Sequence, residues 1–166
     1  MFTIRQAMQA DTDIAYQLFL EAKQEQRLDH WISGSKDAFA RDLLGDNPPV
    51  AFYLAFDTDR PDVPLGMVTC TRVYSLYSNR YNIYMRCLYV VPSARCSGLA
   101  RFIMGFAARL ALAEDSTLSW EVQGNNIHAQ AFYEKIGCAI DPDGLIYYDA
   151  AGQELDRLVG YCLQEI

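Results

Sequence analysis

The chain is poor in the residues that most metal, redox and nucleotide sites advertise. It has two histidines, His30 and His128, far apart and without cysteines or carboxylates at ligand spacing, which argues against a metal site. Its five cysteines (Cys70, Cys87, Cys96, Cys138 and Cys162) are odd in number and include no CxxC pair. That pattern indicates neither a disulfide framework nor a zinc site, and free thiols in a reducing, cytoplasmic compartment are expected. GxGxxG is missing, which excludes the dinucleotide fingerprint, and no GK[ST] follows a glycine loop, which excludes a Walker site. Basic residues are outnumbered 14 to 21, and the net charge of −7 argues against nucleic acid as a partner. No apolar run approaches the roughly 20 residues of a membrane span, and the N-terminus carries no charged-then-apolar leader, so no membrane partner is expected.

What is present describes a folded enzyme-sized unit. With 51% hydrophobic and 13% aromatic residues in 166 positions, a packed core is affordable and residues 1–166 read as a single domain. Residues 2–5 alternate as a short strand. Asp11 reads as the N-cap of a helix over residues 12–23, with Ile14, Leu18 and Ala22 on one face beside Ala15 and Phe19. Residues 36–44 form a second helix stopped by Gly45. Residues 50–56, 65–73 and 82–91 read as three strands of an antiparallel meander. The first connection, 57–64, is rich in proline and aspartate; the second, 74–81, is rich in tyrosine.

The pattern then changes. A strand feeds a long helix, where Leu99, Phe102, Ile103, Phe106 and Leu110 recur at helical spacing, and the helix feeds a strand over 118–122. This is a βαβ crossover and implies a parallel pair. A last helix ends at Gly137, and residues 138–148 and 158–164 read as closing strands. The fold class is α/β (α+β): a mixed sheet with an antiparallel N-terminal meander, a parallel central pair and helices on both faces.

Between the strand ending at Pro92 and the long helix lies Arg95-Cys96-Ser97-Gly98-Leu99-Ala100. Gly98 allows close approach of a ligand to the backbone. The helix start aims free amides at one point, and Arg95 and Arg101 add charge, so a pyrophosphate is the natural guest. An ordinary strand-to-helix turn is the competing reading of so short a pattern.

This loop resembles the [RQ]xxGx[GA] loop of the GNAT superfamily of acetyl-CoA-dependent N-acetyltransferases. Leu88-Tyr89-Val90 with Pro92 resembles that family's strand end. Asn126-Ile127-His128-Ala129 and Phe132-Tyr133-Glu134-Lys135-Ile136-Gly137 resemble its NxxA…FYEKxGF segment. The resemblance implies that the main chain of Leu88, Tyr89 and Val90 pairs with the pantetheine arm, with the parallel strands splayed near Val90 and Val122. It implies that Arg95, Cys96, Ser97, Gly98, Leu99, Ala100 and Arg101 hold the pyrophosphate, and that Asn126 contacts the arm. Cys96 stands where the family often has Gly or Arg, and Cys138 replaces the usual Phe. Arg86-Cys87 stand where polyamine acetyltransferases carry Glu-Asp, which weakens a polyamine reading.

An alkyl amine with a pKa near 10.4 must lose a proton before it attacks a thioester, and the departing thiolate must gain one. Tyr133, at the position of the family's tyrosine, is the candidate acid. Glu121 is the candidate base, with a solvent-facing strand residue as the competing reading. An oxyanion donor is expected in the main chain near Tyr89 or Val90. The implied function is transfer of acetyl from acetyl-CoA to a primary amine by direct attack in a ternary complex. The alternative is a catalytically silent acyl-CoA sensor. Cys96 has no paired base and is discounted as a covalent nucleophile. The expected partners are acetyl-CoA and a small-molecule or peptide amine, with a homodimer left open.

Overall fold

The computed structural model describes residues 1–140. They fall into a first unit, Met1–Asn126, and a second that begins at Ile127. The first unit is built on a five-stranded sheet in the order β1-β2-β3-β4-β5. The strands are β1 (Phe2–Gln6), β2 (Ala51–Asp57), β3 (Arg60–Ser75), β4 (Arg80–Val90) and β5 (Leu118–Trp120). The first four are antiparallel neighbours, and β4 and β5 are parallel. The helices of this unit are α1 (Thr12–Glu25), α2 (Lys36–Leu43) and α3 (Leu99–Ala113). No helix among the described residues is long and apolar enough to cross a membrane.

The two connections within the meander are shorter than their composition suggests. Only residues 58–59 turn between β2 and β3, so Pro61 and Pro64 lie inside β3. They are tolerated because the register slips there, with Phe56 opposite Pro64 and Asp57 opposite Arg60. Likewise only residues 76–79 turn between β3 and β4. Tyr74 and Tyr81 are a cross-strand pair with ring centroids 5.1 Å apart, edge to face.

The apolar layers lie on both faces of the sheet. Ala15, Leu18 and Ala22 of α1 and Phe39 of α2 pack with Phe52, Leu54, Met67, Cys87 and Tyr89 of the sheet. The buried stripe of α1 therefore runs through Ala15 rather than Ile14, which is 40% exposed. On the other face α3 comes down on Gly66, where a Cβ would stand 2.7 Å from the Tyr89 carbonyl oxygen and 3.2 Å from Ile103 Cδ1. Only glycine permits that approach. The buried stripe of α3 is Leu99, Ile103, Met104, Ala107 and Ala111. Phe102, Phe106 and Leu110, expected in the core, are half-buried on its flank, where Phe102 meets Phe2 and Phe106 meets Tyr53. Burial pushes the Cys70 thiol up to about 11 and also raises Cys87, so both behave as apolar core residues.

In the second unit, α4 (Ile127–Lys135) has Ala129, Phe132, Tyr133 and Ile136 half-buried. Gly137, at φ +90°, ends it, and the Cys138 amide donates back to the Tyr133 carbonyl at 3.0 Å. Residues 138–140, expected to open a closing strand, have no regular structure; the remainder of the two expected closing strands lies outside the described residues.

Asp11 stands at the N-cap of α1 but does not cap it. Its carboxylate accepts two bonds from Arg5, at 2.7 and 2.8 Å, and one from the Met8 amide at 2.8 Å. The Arg5 bonds, helped by the Met8 amide, hold the carboxyl below the usual aspartate range although burial opposes it. A carboxyl depressed in this way stabilises the fold above its unfolded pKa, about 4, and loses that contribution as pH falls through its folded value. Asp11→Asn should cost about 1 kcal/mol at pH 7 in urea unfolding, with the difference from wild type closing in strong acid.

Candidate active site

The site is organised by where β4 loses its partner. β5 pairs with β4 only through Leu118–Trp120 against Ile83, Tyr84 and Met85. One residue further, β4 carries a bulge: Cys70 faces Met85 and Thr69 faces Cys87, leaving Arg86 as the extra residue. Beyond it Leu88, Tyr89 and Val90 still pair with β3, at Val68, Met67 and Gly66, but have no β5 partner. The parallel pair thus splays, as expected, but earlier: β5 ends at Trp120, and Glu121 and Val122 lie past it.

The direction of the open main-chain groups follows from one bond. Val91 N–H donates to the Leu65 carbonyl of β3 at 3.0 Å. Strand groups alternate with a period of two, so the Tyr89 amide points into β3, whereas those of Leu88 and Val90 point to the open edge. The Val90 carbonyl confirms the parity, since it accepts from Arg95 Nε at 3.2 Å rather than from β3.

After β4, Pro92–Ala94 forms one 3₁₀ turn and the loop reverses through two left-handed residues, Cys96 at φ +62° and Gly98 at φ +93°. The non-glycine one costs about 1 kcal/mol and is held in place by the short loop. Ser97 Oγ donates to the Ala94 carbonyl at 2.6 Å and accepts from the Leu99 amide at 3.3 Å. The first intrahelical donor of α3 is Phe102, bonded to the Gly98 carbonyl at 3.1 Å, so the amides of Ala100 and Arg101 have no helical acceptor. Cys96, Ser97, Gly98 and Arg101 are exposed, and a Cβ on Gly98 would meet nothing within 4 Å.

Arg95 is less available than its place in the motif suggests. Besides the Val90 carbonyl, its Nη2 pairs with Glu25 Oε2 at the end of α1. Beside this pair lies a cleft of about 430 Å³ lined by Glu21, Gln24, Glu25, Tyr89 and Pro92. The Tyr89 hydroxyl donates to Glu21 Oε2 at 3.4 Å. Burial, then the nearby Glu21 and Glu25 carboxylates, raise its pKa, so it stays protonated. The Glu21–Glu25 pair was not among the expected site residues; its only sequence signal is an i, i+4 spacing of carboxylates on a helix.

Glu121 is exposed and makes no ion pair among the described residues, with Arg86 or any other cation. Arg86 instead lies over the Tyr84 ring, 5.4 Å from its centroid. Asn126 is half-buried and closes a turn through its amide to the Gln123 carbonyl, 2.9 Å. Tyr133 is half-buried in α4, its ring 5.2 Å from that of Phe132. No cluster of three His, Cys, Asp or Glu residues able to hold a metal is present among the described residues.

A sheet split beside a helix N-terminus, with open main-chain groups on one side and a cationic loop at its head, suits an elongated ligand that is amide-rich in its arm and anionic at its middle. That is the shape of acyl-CoA. The model of the acetyltransferase (GNAT) family matches residues 12–138, and the chain belongs to that family. It is a GNAT-type N-acetyltransferase, which transfers an acetyl group from acetyl-CoA to an amine.

Among curated proteins it is similar to the thialysine N-epsilon-acetyltransferases of Mus musculus and Bos taurus. They are 23% and 26% identical, each over 95% of this chain and 96% of the relative. Among solved structures it matches a probable acetyltransferase with a TM-score of 0.76 at 21% identity, over 90% of this chain and 98% of that one. It also matches the ribosomal-protein-alanine N-acetyltransferase of Brucella melitensis with a TM-score of 0.69 at 16% identity, over 90% and 100%. These structures share the fold.

Because Gly98 is left-handed and its would-be side chain meets open space, Gly98→Val should act through the backbone and not through a clash. Acetyl-CoA affinity should fall about tenfold by calorimetry, from roughly 1–2 kcal/mol of displaced loop geometry. An unchanged Kd would remove the loop from the donor site.

Proposed function

We propose that residues 1–166 act as one cytoplasmic N-acetyltransferase domain in which the amine attacks acetyl-CoA directly, in a ternary complex, without an acyl-enzyme. The observation that carries this reading is the edge of β4 that β5 leaves uncovered, ending at a helix start where the Ala100 and Arg101 amides have no helical acceptor. The main chain at Leu88, Tyr89 and Val90 would hold the pantetheine arm. The amides from Cys96 to Arg101, with Arg95 and Arg101, would hold the pyrophosphate, and Asn126 would contact the arm. The Leu88 amide, one of the two that alternation sends to the open edge and the farther from the loop, is the oxyanion donor of this reading, because the thioester lies at the end of the pantetheine arm remote from the pyrophosphate.

Glu121 would accept the ammonium proton, directly or through a water, since a side chain past the strand end is open to both. Tyr133 would give a proton to the departing thiolate through its phenolic hydroxyl. Cys96, exposed in the phosphate loop, has no base within the described contacts to make it a nucleophile. For the acceptor, a small molecule bearing a free primary amine is favoured. The similarity to two thialysine N-epsilon-acetyltransferases over 95% of the chain supports it, and so does the carboxylate-lined cleft beside Tyr89.

The roles separate kinetically, with free CoA release as the readout and thialysine as the first acceptor tried. Tyr133→Phe should lower kcat by roughly a hundredfold or more, with little change in acetyl-CoA affinity. An equal fall in melting temperature and soluble yield would mark the tyrosine as structural instead. Glu121→Gln should abolish the acidic limb of the kcat/KM profile; a limb that persists at the same pH assigns the base elsewhere.

A further inference from the structure

Arg95 occupies ground that the donor needs. Its Nε donates to the Val90 carbonyl at 3.2 Å, on the edge of β4 that β5 leaves uncovered. Its Nη2 is held by Glu25 from α1. The guanidinium therefore lies across the edge along which the pantetheine arm is to run, with its charge answered by a carboxylate and not by a phosphate.

We propose that Glu25 is a positioning residue that parks Arg95 over the open edge of β4, in competition with acetyl-CoA, and that donor binding exchanges this carboxylate for the pyrophosphate. The inference rests on the reading of the β4 edge and the 95–101 loop as the donor site. Three observations carry it. The pair is mobile in principle, since its side chains are 43% and 50% exposed, so neither is locked by packing. Arg95 stands at the head of the loop that leads into α3, so rotation of its own side chain, without backbone movement, would carry the guanidinium from the Val90 carbonyl toward that loop. The anion offered there carries more charge than one carboxylate and can take the guanidinium fork bidentately.

The exchange has a second consequence. Glu25 stays in the 430 Å³ cleft with Glu21 and Tyr89 after Arg95 leaves, so donor binding uncovers one carboxylate there. The contact thus links the occupancy of the donor edge to the charge of the neighbouring cleft.

The test is acetyl-CoA binding to the full chain by isothermal titration calorimetry. An exposed ion pair contributes up to about 1 kcal/mol, so Glu25→Gln should tighten acetyl-CoA about three- to fivefold. The gain should shrink in about 0.5 M NaCl, where screening already weakens the pair in the wild type. Glu25→Asp, which keeps the charge but shortens the arm, should fall between the two. Relief of charge repulsion alone would tighten acetyl-CoA equally in an Arg95→Gln background, whereas the parked pair gives the gain only when Arg95 is present, so an equal gain there overturns the inference. Wild-type or weaker affinity in both variants, with the wild type itself binding acetyl-CoA, overturns the inference and leaves the donor site standing. A wild type that does not bind acetyl-CoA overturns the donor-site reading, and this inference with it.

Discussion

The site depends on one departure from sheet pairing: β4 outruns β5. A strand inside a sheet has both edges satisfied, and an unpaired run of backbone groups there must find partners or carry a desolvation cost. Here the bulge at Arg86 shifts the parity of β4 just as the pairing with β5 ends at Met85 and Trp120. The two events together turn the amides of Leu88 and Val90 toward an edge with no neighbouring strand among the described residues. A ligand with its own amides is the complement of such an edge, because it extends the ladder where protein strand is missing. In the proposed donor site, recognition of such an arm would fall to the backbone, since the amides of Leu88 and Val90 face the edge that β5 leaves uncovered.

The edge is useful only if the anion loop lies at a fixed distance from it. That distance is set by packing. Leu99 and Ile103 of α3 rest on Gly66, the residue of β3 that pairs with Val90. The same glycine that lets the helix approach thus ties the helix start to the last residue of the open edge. The loop between them spans only residues 91–98, and it turns through left-handed Cys96 and Gly98. Functional groups carried on helix and strand ends, joined by a short strained loop, are held more tightly than groups on a long one.

Much of the fold was legible in the sequence. The strand-to-helix turn at Gly98, the βαβ crossover and the end of β4 are written in short contiguous segments, where turn residues and periodicity act locally. The misses share a cause, since each depends on a partner distant in sequence. Ile14 and Ala15 are equally apolar neighbours, and only the approach of the sheet selects Ala15. Pro61, Pro64, Tyr74 and Tyr81 look like turn residues until a bulge or a cross-strand ring partner accommodates them in strands. Asp11 has the composition of a cap, but Arg5 on β1 outbids the helix amides for its carboxylate. At the site, Glu25 is one charged residue among many on α1, and its contact with Arg95 exists only because α1 crosses β4 near Tyr89.

The helix starts differ in how they answer the helix dipole. α1 and α2 each place an aspartate in the first turn, Asp13 and Asp37, which complements the positive end of the helix dipole. α3 has no acidic residue there and carries Arg101 instead, a cation set against a positive pole. Its N-cap, Gly98, offers no side chain to the free amides. Each choice costs the isolated helix a few tenths of a kcal/mol to about 1 kcal/mol, and each is reversed in sign when an anion arrives. Arg95 contributes conditionally, because its charge is answered by Glu25 until the anion competes for it. The standing field at the loop therefore comes from Arg101 and the helix amides. Under the proposed exchange, the two arginines of the motif would not contribute equally: Arg101 would act from the start and Arg95 only after leaving Glu25.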